Sequence, residues 1–434
     1  MIRKFLLLSL VFIGLQACES SSSDSNDNIQ AVEARSAYDF VNSIGINTHF
    51  GFYETNYWDK WNEITFPRLK ELGVKHIRDG YGYRVPVGQA RFIEAGQAGI
   101  KLLLSVATDT PEQLKPKLNA LLPYLSGVEA INEVDYTAPS QPWVAYAKTK
   151  QEELFELIKN TPEYSHIPVV GLSLANIRDN AILLGDISEW VDYGNIHAYA
   201  SGRHPALHWG YEQTWENISY NAKVVFKDKP IIATEAGFHN YEALGIPHLG
   251  VPEEVSAIYL PHLFFEYFNK GIVRTYTYEF LDQPRRAESM NEPEMEFHFG
   301  LIRLDGEPKP AFYALKNLIA LLSDENESFS PSPFKFEIIT ETETAKKYIQ
   351  HTLLQKSDGS WWIAMHRRNE IYNPIFLQQK PIQSEKITLN FEETANVIDV
   401  YVPNKSIEPQ ATFSKKNSVV FDLGAELTLI KITK

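Results

Sequence analysis

Cysteine is nearly missing from this 434-residue chain: Cys18 stands alone, so no intramolecular disulfide can form and the fold must be held by its core. Clustered positive charge is missing as well. Lys and Arg total 41 against 55 Asp and Glu, a formal charge of -14, and no basic run occurs. Phosphate binding depends on clustered Lys and Arg, so nucleic acid is excluded as a partner. Metal-ligand spacing is also lacking among the 12 His residues, for there is no His-Glu-x-x-His run, and Asn47-Thr48-His49 has no His-x-His pair. A metal-dependent hydrolase is therefore disfavoured, and no metal or other cofactor is expected. Aromatics, by contrast, are plentiful at 12%. That fits either stacking surfaces for sugar rings or a large aromatic core.

The chain opens with Met1-Ile2-Arg3-Lys4, an apolar stretch over 5–15 and Gln16-Ala17-Cys18. A basic start, an apolar segment too short to span as a mature helix and small residues before a cut describe a secretory signal peptide over 1–17. Leu15-Gln16-Ala17-Cys18 resembles a bacterial lipobox. It implies acylation of Cys18 and an exported protein whose only membrane contact is a lipid anchor to the cell envelope, on the outer membrane. Residues 19–28 carry no apolar side chain and read as solvated; 18–36 is expected to be the acylated Cys and a flexible tether.

From 37 to 328, short β-rich runs alternate with helix-length amphipathic segments. The spacing predicts strands over 44–48, 75–78, 101–106, 128–133, 169–172, 193–197, 230–235 and 272–278. Between them fall helices such as 58–72, 111–125, 143–160, 252–269 and 310–322. Thr110-Pro111-Glu112 and Val251-Pro252-Glu253-Glu254 place proline and acids in first turns, where unpaired amides and the helix dipole favour them. Eight such repeats make an α/β chain with the size of a (β/α)₈ barrel. After the polar stretch 323–328 the period changes. Residues 329–434 show alternating β runs and predict a small antiparallel β-sandwich domain. Trp361 and Trp362 in it could offer a sugar platform, but neighbours on a strand face opposite ways and at least one belongs to the core.

In a barrel of this kind the C-terminal strand ends share one mouth, so residues far apart in sequence converge there. Reading those ends gives Asn47 and His49, then Arg78 and Asp79, Asn132 and Glu133, His197 and Tyr199, Glu235, and finally Tyr278 and Glu279. Two acids stand out: Glu133 and Glu235 each end a short apolar run, on the fourth and seventh strands. Facing carboxylates are the minimum equipment for cleaving a glycosidic bond.

This pattern resembles clan A of the glycoside hydrolases, with Asn132-Glu133 matching the fourth-strand motif and Thr234-Glu235 the seventh. The segment 299–313, Phe-Gly-Leu-Ile-Arg-Leu-Asp-Gly-Glu-Pro-Lys-Pro-Ala-Phe-Tyr, resembles the end of such catalytic domains. The resemblance implies a retaining hydrolase of β-linked polysaccharide or oligosaccharide. In it Glu133 is the acid/base, Glu235 the nucleophile, Asn132 a partner of the sugar 2-hydroxyl, Tyr199 a partner of the nucleophile, and Arg78 the cation that keeps the nucleophile ionised. His49, His197, Tyr278 and Glu279 join the substrate-binding set, the role of Glu279 being open. Two departures bear on substrate subsites: Val134-Asp135 follows the Asn-Glu pair where Pro is frequent, and Tyr278-Glu279 stands where a Trp often ends strand eight.

Arg78 has a competing use, a structural ion pair with Asp79 or Glu129. A carbohydrate-binding lipoprotein without catalysis is the alternative to the enzyme, and the presence of both acids argues against it. The chain is expected to be a monomer with a carbohydrate substrate, its sugar and linkage left open.

Overall fold

The structure, a computed structural model, describes residues 29–80, 87–106, 109–138, 142–210, 214–246 and 248–434. The signal segment and Cys18 lie outside these. Eight short strands carry the barrel: β1 (Ile44–Asn47), β2 (His76–Gly80), β3 (Lys101–Ser105), β4 (Leu125–Glu129), β5 (Val169–Val170), β6 (Gly194–His197), β7 (Ile231–Ala236) and β8 (Arg274–Thr277). They pair in the order β5-β4-β3-β2-β1-β8-β7-β6, all parallel, and a parallel bridge from Val170 to Tyr193 closes the ring. Helices cover the outside, so both faces of the strands are largely buried. β1 and β6 are buried at every position.

Inside the ring, Leu103, Val170, Ile232 and Tyr276 form a small apolar plug. Tyr276 needs the space left by a glycine: a Cβ on Gly45 would lie 2.4 Å from its ring. Polar residues begin one layer above this plug, and that layer is the floor of the site.

Two elements depart from expectation. The helix expected over 58–72 comes in three pieces, Asn56–Asp59, a wide turn at Trp61–Thr65 and Phe66–Leu72. Pro67 explains the last break, because it has no N–H to continue a helix from the preceding turn. The fourth strand stops at Glu129 instead of running to 133.

The β domain is present, and its longer strands belong to one hydrogen-bonded sheet, with Tyr372–Asn373 and Gln378–Gln379 pairing apart from it as a short two-stranded ladder. Phe334–Thr340, Glu385–Tyr401, Thr428–Thr433, Trp361–Arg367 and Ile349–Gln355 are successive antiparallel neighbours, and Ala411–Leu423 pairs along Glu385–Tyr401. Residues read as tether contribute to it. Ala31–Val32 pairs with Phe334–Thr340, and Arg35–Ser36 runs parallel to Ile349–Gln355. Strand alternation divides the sheet's two faces: Ile363, Met365, Ile430 and Ile432 enter the domain's own core, whereas Trp362, Ala364 and Leu429 join the core shared with the barrel. Trp361 stacks on Phe334 with ring centroids 5.0 Å apart. Both tryptophans therefore serve packing.

The two parts are bolted across the helix Glu253–Asn269. Its buried Glu266 accepts from His366 at 2.8 Å and from Arg368 through two contacts of 2.6 Å. Burial opposes its charge, but these partners hold its carboxyl at about 2. Beside it sit His204 and His262, fully buried and bonded to one another at 3.1 Å. Burial pushes His204 down to about 3 and His262 well below its ordinary value, with His366 adding to both.

These two histidines are neutral when folded and take up protons when unfolded below about pH 6.5. Their contribution to stability is thus complete above that pH and lost as the pH falls. Each is expected to remove roughly 1.4 kcal/mol per pH unit between pH 6 and 5. Glu266 adds little in that window, since its own loss begins only as the pH falls through the ordinary carboxylate value and runs down to about 2. Chemical unfolding of wild type and His262→Leu at pH 7, 6 and 5 checks this; equal pH slopes in the two proteins would sink it.

Candidate active site

The floor of the barrel mouth is organised by one guanidinium. Arg78, on β2, is buried and donates to Glu129 from Nε and Nη2 at 2.5 and 2.9 Å, to Glu235 and Asn47 from Nη1 at 2.7 and 2.9 Å, and to Asn132 from Nη2 at 2.6 Å. Both uses foreseen for Arg78 are realised at once, through Glu129 rather than Asp79. Asp79 instead accepts from the Thr48 hydroxyl and the Phe50 amide at 2.7 and 2.9 Å. Burial alone would lower the Arg78 pKa, and the charges of Glu129 and Glu235 reverse this, raising it.

Glu235 is presented by an irregularity in β7. Ile196 pairs with Ala233 but His197 with Glu235, and on the other side Thr275 pairs with Ala233 but Thr277 with Ala236, so β7 carries one extra residue. Such a bulge lets consecutive side chains face the same way. Thr234 and Glu235 both point inward. The Thr234 hydroxyl contacts Asn195 Oδ1 at 2.7 Å and Glu129 Oε1 at 3.1 Å. Each oxygen of Glu235 has a donor, Arg78 on Oε1 and the Tyr199 hydroxyl on Oε2, the latter at 2.7 Å. Burial would raise its pKa, but the charges of His197 and Arg78 and the Tyr199 hydroxyl outweigh it and lower it.

Glu133 arrives differently. It lies four residues beyond β4, as the residue before the short helix Val134–Thr137, with its backbone in the left-handed region at φ 44°. That conformation costs a non-glycine residue roughly 1–2 kcal/mol. It is held by the Ser173 hydroxyl, which accepts its N–H at 2.8 Å, and by the Tyr136 and Thr137 amides, which donate to its carbonyl at 2.9 and 2.8 Å. Its Oε1 then lies 2.9 Å from His197 Nδ1.

His197 stands between the two acids, with Nδ1 3.5 Å from Glu235 Oε2. Acceptors surround the Thr234 hydroxyl at Asn195 and Glu129, so its hydrogen goes there and its oxygen accepts from His197 Nε2, 3.0 Å away. One further proton must then lie in the contact between His197 Nδ1 and Glu133 Oε1. Burial would lower the His197 pKa, whereas the charges of Glu235 and Glu133 raise it. Polar atoms of Glu133, His197 and Glu235 all lie within 4.8 Å of one another.

Of the sequence-derived set, Asn132, Glu133, Arg78, His49, His197, Tyr199, Glu235 and Tyr278 line one cavity of about 510 Å³. Glu279 is a correction. Its fully buried carboxyl lies behind the cavity wall, accepting from Tyr57 at 3.1 Å and Gln283 at 2.7 Å, and burial raises its pKa well above the ordinary value. His49 Nε2 is 3.3 Å from it, and burial lowers that histidine to about 3, so two neutral groups meet there. The 278–279 peptide is cis. Sequence reading did not single out Tyr136, His248, Glu292 or Glu296, which also line the cavity. They lie in loops or short helical turns beyond the strand ends, and no strand-end pattern points to them.

Two triplets among the described residues have metal-ligand types close together, Glu133–His197–Glu235 and His204–His262–His366. In the first, the acids are already matched by Arg78, Tyr199 and His197. In the second, the Ala206 amide donates to His204 Nδ1 at 3.1 Å, which leaves the proton on His204 Nε2, directed at His262. A nitrogen that carries a proton has no lone pair for a metal.

No family model matches this chain, and no curated protein matches its sequence. Solved structures do resemble it in fold. The arabinofuranosidase of family 51 from Xanthomonas axonopodis pv. citri superposes with a TM-score of 0.56 at 12% identity, over 94% of this chain and 98% of that one. A family 51 α-L-arabinofuranosidase from Bifidobacterium longum gives 0.55 at 10% identity, over 93% and 97%. A family 39 glycoside hydrolase from the gut symbiont Bacteroides cellulosilyticus WH2 gives 0.51 at 13% identity, over 91% and 82%. The structural neighbours are glycoside hydrolases with barrels of the clan A type, and this chain has their fold.

Proposed function

We propose that the protein is a retaining glycoside hydrolase acting on β-linked polysaccharide or oligosaccharide. The observation that carries the reading is the approach of Glu133 and Glu235 within 4.8 Å, from the fourth and seventh positions of the ring. Retaining enzymes place their carboxyl groups about 5–5.5 Å apart, near enough for one to attack the anomeric carbon while the other serves the leaving oxygen. Inverting enzymes need more room for a water. The fold shared with glycoside hydrolases supports the same reading.

In the first step a Glu235 oxygen bonds to the anomeric carbon as the glycosidic C–O bond breaks, and the proton in the Glu133–His197 contact passes through Glu133 to the departing oxygen. In the second, Glu133 takes a proton from water, the water oxygen bonds to the anomeric carbon and the bond to Glu235 breaks. Arg78 and Tyr199 stabilise the carboxylate that leaves. Asn132 has its carbonyl oxygen on Arg78, which turns its amide N–H toward the cavity and a sugar 2-hydroxyl. Tyr136, three residues beyond Glu133, is exposed on the cavity wall, where its ring can stack on a sugar. We propose further that a signal peptide over 1–17 and acylation of Cys18 would anchor this enzyme to the cell envelope.

A panel of β-linked polysaccharides, with arabinofuranosides included because two proteins of similar fold act on them, should reveal turnover. Glu235→Gln is expected to lose on the order of 10⁴-fold in kcat. Proton nuclear magnetic resonance at early times should show product with the anomeric configuration of the substrate; an inverted product would end the retaining reading. Glu133→Gln should cost roughly 10²–10⁴-fold on substrates with poor leaving groups and far less on activated aryl glycosides. Equal losses on both would remove Glu133 from the acid role.

The pH profile follows from the same contacts. Activity should fall on the acid side only below the ordinary carboxylate range, where Glu235 takes up a proton. It should fall on the alkaline side above the ordinary histidine value, as the Glu133–His197 pair loses its shared proton. Removing the imidazole in His197→Ala should move the alkaline limb, and an unmoved limb would show that the pair does not hold that proton.

A further inference from the structure

The cavity carries more acid than the two-step reaction uses. Beyond β8 the chain passes over the mouth through 292–299, and Glu292 and Glu296 line the cavity together with Glu133 and Glu235. Among the described lining residues Arg78 is the single Lys or Arg, and its donors are already committed to Glu129, Glu235, Asn47 and Asn132. Glu296 sits in the short turn Glu294–Phe297, half-buried, and its carboxyl has no hydrogen-bond partner among the described residues. Glu292 is exposed at the rim. A half-buried polar group with no protein partner, facing a cavity large enough for a sugar ring, is placed to meet ligand hydroxyls.

We propose that Glu296 is a substrate-binding, specificity-determining residue that hydrogen-bonds an uncharged sugar, and that the cavity rejects sugars bearing a carboxylate. This inference rests on the glycosidase reading of the same cavity. A carboxylic acid both donates and accepts, which suits a hydroxyl, whereas a uronate brought among Glu133, Glu235, Glu292 and Glu296 finds no free cation on the described walls. Like charges brought together in a partly desolvated site repel strongly. Burial, followed by the charges of Glu235, Glu292 and Glu133, raises Glu296 to about 7. Below that pH it is a neutral hydrogen-bonding acid, and above it repulsion of anionic sugars grows.

The test uses the full chain and two matched pairs of aryl glycosides, β-glucoside with β-glucuronide and β-galactoside with β-galacturonide. The neutral member should be favoured in kcat/KM by about 100-fold or more. In wild type this ratio should rise as the pH passes through about 7. Glu296→Gln should cut the ratio about tenfold and flatten its rise around pH 7, whereas Glu296→Asp, which keeps the acid, should retain both. A uronide turned over as well as its neutral counterpart overturns the proposal. So does a Glu296→Gln enzyme whose ratio and pH dependence match wild type. Turnover that persists in Glu235→Gln would instead overturn the catalytic assignment, so the two failures are told apart.

Discussion

A buried guanidinium surrounded by four acceptor residues is the constraint around which the barrel mouth is arranged. Arg78 cannot lose its proton, and taken alone it could not be buried at acceptable cost. It is tolerated because Glu129 meets it with two oxygens and because Asn47, Asn132 and Glu235 take its remaining donors. Those partners come from β1, β4, the segment after β4 and β7. Each position therefore depends on the others, and removing any one leaves a buried charge short of a partner. The planar fork of an arginine makes this possible, since a lysine could not serve acceptors in such fixed directions.

The same arrangement separates the two acids. Glu235 lies within the polar floor with both oxygens bonded to donors and its charge favoured by Arg78 and His197. Glu133 stands at the cavity edge, its carboxyl joined to the floor through His197. Two identical side chains thus receive different surroundings, as the proposed roles of nucleophile and proton carrier would require. His197 couples them. Its protonation answers to both carboxylates, so the state of one is felt by the other through a single ring.

Much of this was legible in the sequence, and the misses have physical reasons. Apolar runs ending in polar residues identified the eight strands and brought Arg78, Asn132, Tyr199 and Glu235 to one place, because strand ends of a parallel barrel share a face. The bulge in β7 was invisible, yet Glu235 still reached the mouth. Glu133 has the right position for a different reason than expected: it reaches the cavity by a left-handed turn after the strand, not as the strand's last residue. Glu279 follows Tyr278 directly, and with Tyr278 on the cavity wall its carboxyl is carried behind it. Composition could not tell a tether from the strands at 31–32 and 35–36, whose order comes from sheet partners some three hundred residues away. Glu296 and His248 belong to loops whose paths no periodicity encodes.

The β domain bears on the barrel mouth by holding loops. The loop after β6 carries Tyr199, and the loop after β7 carries His248, with ring centroids 5.5 Å apart on the cavity wall. They are tied to each other where the Leu249 amide donates to the Ser201 hydroxyl at 3.0 Å. Behind them stands the segment following Trp361–Arg367. Tyr372 bonds Glu242 at 2.5 Å, and the Ile371 amide donates to the Tyr259 hydroxyl at 2.8 Å. Pro374 approaches Gly202 so closely that a Cβ there would lie 2.8 Å from the proline ring. Gly202 also has φ 75°, so both its backbone and its contact favour glycine. Long loops ordinarily gain freedom with length, and one that places a hydroxyl 2.7 Å from a buried carboxylate must lose it again. The β domain supplies that restraint from outside the barrel. This gives the appended domain a physical reason to be fixed to the barrel through Glu266, His366 and Arg368 rather than hung on a linker.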